Sequence, residues 1–154
     1  LNVDENCILM IRGCGPIGYP GGAEVVNMTP PDYLLKKGIT ALPCLGDGRQ
    51  SGTSESPSIL NVSPEAAVGG GLSIIKNNDM IKVDLNTKRV DLLLSEDEIK
   101  DRYNKMKFRY PDNQTPWQEI SRQYTGQLQD GACLDLKEKY IDVAKSKGIP
   151  RDNH

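Results

Sequence analysis

Apolar and polar positions alternate in blocks along this chain, and the blocks predict its elements. Residues Cys7 to Ile11 form a short continuous apolar run, the signature of a buried strand. A loop dense in glycine and proline follows, from Gly13 to Gly22. Thr29-Pro30-Pro31 opens a short helix over 32–37 that Gly38 closes. Ile39 to Leu45 is the second buried strand, and Gly46 to Ser58 is a polar loop. Ser63-Pro64-Glu65 starts a helix, with Ser63 as cap, Pro64 in the first turn and Glu65 at the positive end of the dipole. Gly69-Gly70-Gly71 ends it.

Two strands, Leu72 to Ile75 and Met80 to Leu85, are predicted next, joined by a hairpin turn at Asn77-Asn78-Asp79. Asn86-Thr87-Lys88 turns into a third strand, Arg89 to Leu94. The alternation in Ile81-Lys82-Val83-Asp84-Leu85 predicts one buried and one wet face. Ser95-Glu96-Asp97-Glu98 reads as a capping box for a helix to about Lys107. Thr115-Pro116-Trp117-Gln118 repeats that logic through about Gln123, with Trp117 and Tyr124 as packing groups. A last helix, Leu134 to Lys147, places Leu136, Tyr140 and Val143 on one stripe and ends at Gly148. The organisation is α/β, with strands and glycine loops first and surface helices last.

Composition narrows the class. With 154 residues the chain fits one domain, 1–154, and can bury a real core. Only 5% of it is aromatic, so that core rests on aliphatic side chains. A net charge of −2 and no clustered basic patch argue against a nucleic-acid partner. No apolar run reaches the ~20 residues of a membrane span, so no membrane partner is expected. Cys7, Cys14, Cys44 and Cys133 show no CxxC spacing and read as reduced thiols of an intracellular protein. Zinc is not expected, because the one imidazole is His154, last in the chain.

Chemistry concentrates in three places. Gly13-Cys14-Gly15-Pro16-Ile17-Gly18 matches GxGxxG after a strand. A dinucleotide fingerprint needs a helix that starts inside the motif, and Pro16 to Gly22 cannot form one. The motif therefore reads as a shaped loop that approaches a ligand or another backbone closely. Glu24, beside those glycines, is either a solvated carboxylate or a ligand for a hard cation such as Mg²⁺. Asp47-Gly48-Arg49-Gln50-Ser51-Gly52-Thr53-Ser54 carries polar groups and no large apolar side chain, and reads as loop rather than core. Ser51 has no histidine for a triad. It is either a hydroxyl satisfying loop backbone groups or a nucleophile or base activated by Arg49, a metal or a dipole. Asp79, Asp84, Asp91 and Glu96 to Glu98 read as turn, strand-surface and cap charges, and the lysines from Lys137 to Lys147 as a solvated helix face.

Several stretches jointly resemble the dihydroxy-acid/phosphogluconate dehydratase family. They are Arg12-Gly13-Cys14-Gly15-Pro16-Ile17-Gly18-Tyr19-Pro20-Gly21, Ala23-Glu24-Val25, Asp47 to Thr53, and Val62-Ser63-Pro64-Glu65-Ala66-Ala67-Val68-Gly69-Gly70-Gly71. Gln50, Ser56 to Asn61, Gln123 to Leu128 with Asp130-Gly131-Ala132, and the ending Gly148 to His154 lean towards the pentonate branch, the arabinonate- and xylonate-type sugar-acid dehydratases. The resemblance implies a hydro-lyase that converts a sugar acid to a 2-keto-3-deoxy acid, using an iron–sulfur cluster and Mg²⁺. It implies Ser51 as the base, Thr53 and Arg49 as substrate contacts, and Glu24 as a Mg²⁺ ligand. The implied fold is a swivelling-type, β-barrel-like α/β domain with surrounding helices.

Family members are much longer, with cluster cysteines in an N-terminal domain, and none of this chain's cysteines matches a cluster position. The chain is therefore expected to be a C-terminal fragment. It would work with the N-terminal cluster-binding domain of the same enzyme and with a small-molecule sugar acid. As full length it would form a homo-oligomer in the cytoplasm, or in the mitochondrion for the parent protein. Alone it would bind no cofactor tightly and turn nothing over. The alternatives are the dihydroxy-acid dehydratase of branched-chain amino-acid biosynthesis, and a non-catalytic regulatory or assembly domain.

Overall fold

A computed structural model describes residues 2–22, 24–25, 29–50, 55–110, 115–136, 141–142 and 145–146. It is a mixture of small sheets and helices. Strands β1 (Leu9–Ile11), β3 (Cys44–Gly46) and β5 (Ser58–Ile59) form a parallel sheet with β3 in the middle. Strands β2 (Glu24–Val25) and β4 (Arg49–Gln50) form a second parallel pair. Strands β6 (Ile81–Asp84) and β7 (Arg89–Leu92) make an antiparallel hairpin. Among the described residues none of these sheets closes into a barrel. Nor is any helix long and apolar enough to cross a membrane.

Strand β3 is central because its sequence is apolar throughout: all three of its residues are buried, as expected for a parallel strand covered on both faces. Leu45 packs with Ala66 and Leu72, and Ile8, Met10, Val62 and Ile75 surround them. Leu34 and Leu42 are each 1% exposed. Burial on that scale is worth roughly 2–3 kcal/mol per side chain.

Several elements are shorter than the apolar blocks predict. The second block becomes a strand only from Cys44, and the first helix, α1 (Asp32–Leu35), stops two residues early. Gly38 nevertheless closes it with φ +82°. The segment after Ser63 is a single 3-10 turn, Ala66–Val68, ended by Gly69 at φ +86°.

The predicted strand Leu72 to Ile75 is instead a 3-10 turn, Gly71–Ile74, so Asn77-Asn78-Asp79 joins no hairpin. Leu72 and Ile74 reach the core from that turn. The hairpin is β6–β7, and it lacks the expected dry face: Val83 and Leu85 are exposed. Trp117 is not a packing group, being 79% exposed. Leu134 does not start a helix but forms an isolated antiparallel bridge with Thr125.

Both later helices have the predicted caps. In α2 (Glu96–Lys105) the Ser95 hydroxyl accepts from the Glu98 N–H, while the Glu98 carboxylate turns to Arg102 instead of back to the cap. In α3 (Pro116–Tyr124) Thr115 and Gln118 form a complete capping box. The four cysteines are free thiols, and Cys44 is buried.

Asp79 is more than a turn charge. Both its oxygens accept from Arg102, at 2.5 and 3.0 Å, and both side chains are nearly buried. Arg102 also donates to the Ile74 carbonyl, which ties α2 to the 3-10 turn. The Arg102 hydrogen bonds, helped by the Lys76 N–H, hold the Asp79 carboxyl below its ordinary range. A carboxyl whose folded pKa is depressed adds stability above its unfolded pKa, about 4. That stability is lost as pH falls through the folded value. Asp79→Asn is expected to lower the melting temperature at pH 7, with the gap to the parent closing below about pH 4. A gap equally wide at pH 3 and pH 7, read by thermal denaturation, would contradict this.

Candidate functional site

Strand β3 runs through Asp47 and Gly48 directly into β4, so one stretch of backbone belongs to both parallel sheets. At the bend Asp47 is 1% exposed, although its polar run reads as loop. A buried carboxylate must have donors for both oxygens. Here they are backbone amides. Asp47 Oδ2 accepts from Gly13 at 2.9 Å and Ala66 at 2.8 Å, and Oδ1 from Cys14 at 3.0 Å.

Glu65 repeats the device. Fully buried, it accepts from Ile17 at 2.9 Å and Gly18 at 2.8 Å. The Gln127 amide closes the set: its Nε2 donates to Glu65 Oε1, and its Oε1 accepts from the Glu65 N–H. Glu65 therefore serves the glycine loop and not the dipole of its own turn.

Two carboxylates thus hold the two ends of the Gly13–Gly18 turn. The close approach expected of that motif is to these side chains. Gly13 has φ +77°, a conformation that favours glycine. A Cβ on Gly15 would lie 2.7 Å from Glu65 Cβ and Cδ. The turn forms no helix, as its prolines require.

Beside the turn is a cavity of about 340 Å³. Cys14, Asp47 and Arg49 line one side, and Ser121, Thr125 and Leu128 another. Arg49 and Glu24 are register partners on β4 and β2. Arg49 Nη1 donates to Glu24 Oε1 at 3.1 Å, and Arg49 Nε donates to the Gly22 carbonyl. Both side chains are about half exposed, so the pair is screened by solvent and sits ready to exchange partners. Burial, reinforced by the Asp47 carboxylate, pushes the Cys14 thiol above its ordinary pKa, which keeps it protonated at neutral pH.

Of the four residues singled out from the sequence, the structure brings Glu24 and Arg49 together. Ser51 and Thr53 lie outside the described residues; Ser51 is the next residue after β4. Asp47, Glu65 and Gln127 escaped notice as site residues. The only local signal was a carboxylate set among glycines or prolines after an apolar block. Chemically, the arrangement offers a cavity bordered by the Arg49 guanidinium, with the half-exposed Glu24 carboxylate paired to it on the neighbouring strand. That combination can hold a small polar anion, or a cation at Glu24.

The family model described as dihydroxy-acid/6-phosphogluconate dehydratase C-terminal matches residues 1–132. The chain is 57% identical to the D-xylonate dehydratase of Caulobacter vibrioides, over all of its length and 26% of the relative's. It is 37% identical to the L-arabinonate dehydratase of Rhizobium leguminosarum, with the same coverage of both chains. The dihydroxy-acid dehydratase of Saccharolobus solfataricus is 39% identical over 65% of this chain and 18% of the relative. This chain belongs to the dihydroxy-acid/6-phosphogluconate dehydratase family, matching its C-terminal domain. It spans about a quarter of the length of the two sugar-acid relatives.

Crowding at Gly15 gives a direct test of this construction. Gly15→Ala is expected to cost about 2 kcal/mol, because the methyl must displace the Glu65 carboxylate. Gly71→Ala, with nothing within 4 Å of its added Cβ, should change stability by less than about 0.5 kcal/mol. Equal urea midpoints for the two variants would contradict the packing described.

Proposed function

We propose that this chain is the C-terminal part of a sugar-acid hydro-lyase that converts a five-carbon aldonate to a 2-keto-3-deoxy acid. The observation that carries the reading is the Glu24–Arg49 pair joining β2 to β4, with Arg49 bordering the cavity and Ser51 next in sequence after β4. Similarity over the whole of this chain to D-xylonate and L-arabinonate dehydratases, at 57% identity for the first, supports a sugar acid as substrate.

In this reading the Ser51 hydroxyl, as its alkoxide, takes the C2 proton. The C2–H electrons form the C2=C3 bond as the C3–O bond breaks, the hydroxide leaves with that bond's electron pair and takes the proton back from Ser51 as water, and the resulting enol tautomerises to the keto acid. Arg49 and Thr53 orient the carboxylate end of the substrate, with Arg49 exchanging Glu24 for a substrate oxygen. The donor chemistry fits Mg²⁺ at Glu24. Its oxygen is hard and half-exposed, and it already holds a cation in the Arg49 guanidinium. Bound there, Mg²⁺ would disperse charge on the substrate carboxylate.

The cysteines do not fit an iron–sulfur cluster. Cys44 is buried in β3, and among the described residues no three metal-ligating side chains converge. The reading therefore assigns the cluster to a preceding N-terminal domain of the same polypeptide, with this chain as a swivelling-type, β-barrel-like unit that completes the site. Assembly of the full-length enzyme as a homo-oligomer and a cytoplasmic location belong to the same reading. The bacterial sugar-acid relatives lend no support to a mitochondrial one.

Assay of the intact protein with D-xylonate, L-arabinonate and 2,3-dihydroxyisovalerate tests the reading. Turnover of a sugar acid is expected, and Ser51→Ala should lower kcat by at least about 100-fold. Glu24→Gln should raise the Mg²⁺ concentration needed for half-maximal rate. A Ser51→Ala enzyme that keeps most of its kcat, or a parent that prefers the branched substrate, would overturn it.

A further inference from the structure

Asp47 joins three segments of the chain: its own bend, the Gly13–Cys14 loop and the turn at Ala66. It occupies the bend between β3 and β4, two residues before Arg49. Its oxygens take amides from two distant segments, Gly13–Cys14 and Ala66. The same glycine loop ends at Gly22, whose carbonyl accepts from Arg49, and then enters β2 at Glu24. Cys14, Gly22, Asp47 and Arg49 all border the cavity. A shift at Asp47 therefore moves the cavity wall, the carbonyl that steadies Arg49, and the start of the strand that carries Glu24.

We infer that Asp47 is a positioning residue: its buried carboxylate clamps the Gly13–Gly18 turn to the β3–β4 bend and so fixes Arg49 and Glu24 relative to the cavity. The inference rests on the dehydratase reading for its link to turnover, and on geometry alone for its link to the loop. A neutral side chain cannot replace the carboxylate. In Asp47→Asn one oxygen becomes an NH₂ group, a donor. Whichever way the amide turns, it faces at least one of the three N–H groups donor to donor. The cost is local, because Oδ1 serves Cys14 alone while Oδ2 serves Gly13 and Ala66.

The test compares Asp47→Asn with Asp79→Asn in the intact protein, well below both melting temperatures. Asp79 lies in the α2 anchor, away from the cavity, and controls for stability loss alone. Asp47→Asn should lower kcat for D-xylonate by about 100-fold, as expected when reacting groups shift by about 1 Å. The KM should change far less, the half-saturating Mg²⁺ should rise, and iodoacetamide should alkylate Cys14 faster than in the parent. Asp79→Asn should match the parent in all four. Glu65→Gln loosens the other end of the same turn and should move the readouts in the same direction if Asp47→Asn fails to fold. Readouts for the Asp47 and Glu65 variants indistinguishable from those of Asp79→Asn would overturn the inference. A parent that turns over no aldonate would instead sink the dehydratase reading, and amide exchange at Gly13 and Cys14 would then decide this one: faster in Asp47→Asn than in Asp79→Asn if the clamp holds the turn, equal in the two if it does not.

Discussion

A carboxylate taken out of water must replace every lost hydrogen bond, and in this domain backbone amides do so. Asp47 and Glu65 between them accept from five backbone N–H groups, at Gly13, Cys14, Ala66, Ile17 and Gly18, and Glu65 also from the Gln127 side-chain amide. Each such bond to a charged acceptor is worth roughly 1.5–3 kcal/mol net, and leaving one unmade costs as much. The glycine turn makes no ladder of its own, so these two side chains are its scaffold. Its glycines then have a physical purpose, since Gly15 gives way to the carboxylate that the turn is built around.

The scaffold explains how short elements hold a site. Strands of two or three residues have few ladder bonds, yet β2 and β4 must keep Glu24 beside Arg49. They do so because β4 is a continuation of the buried strand β3, and because the loop entering β2 is clamped at Asp47 and Glu65. The edge they hold remains open to solvent: Glu24 and Arg49 are each about half exposed. A dry support thus carries a wet, half-exposed pair.

Much of this was legible in the residues. Strands within the apolar blocks Cys7–Ile11 and Ile39–Leu45, the α2 and α3 caps, and the non-helical reading of Gly13–Gly22 all follow from local chemistry, whereas the parallel pairing of the two strands does not. Leu72 to Ile75 differs from the expected strand because a short run with three apolar residues looks alike in a strand and in a buried 3-10 turn. Trp117 was misread because its size suggested burial that its place on α3 does not provide. Asp47 was hidden for a different reason. Its partners lie 34, 33 and 19 residues away, and nothing beside it in the chain announces them. Glu24 and Arg49 were found by motif, and their pairing emerged only from the register of two short strands.

Amide hydrogen exchange in the intact protein tests the clamp most directly. If the two carboxylates hold the turn, peptides containing the Gly13, Cys14, Ile17 and Gly18 amides exchange as slowly as those from β3. Exchange at the rate of the exposed β6–β7 turn would contradict the account, because amides bonded to buried carboxylates cannot open so freely.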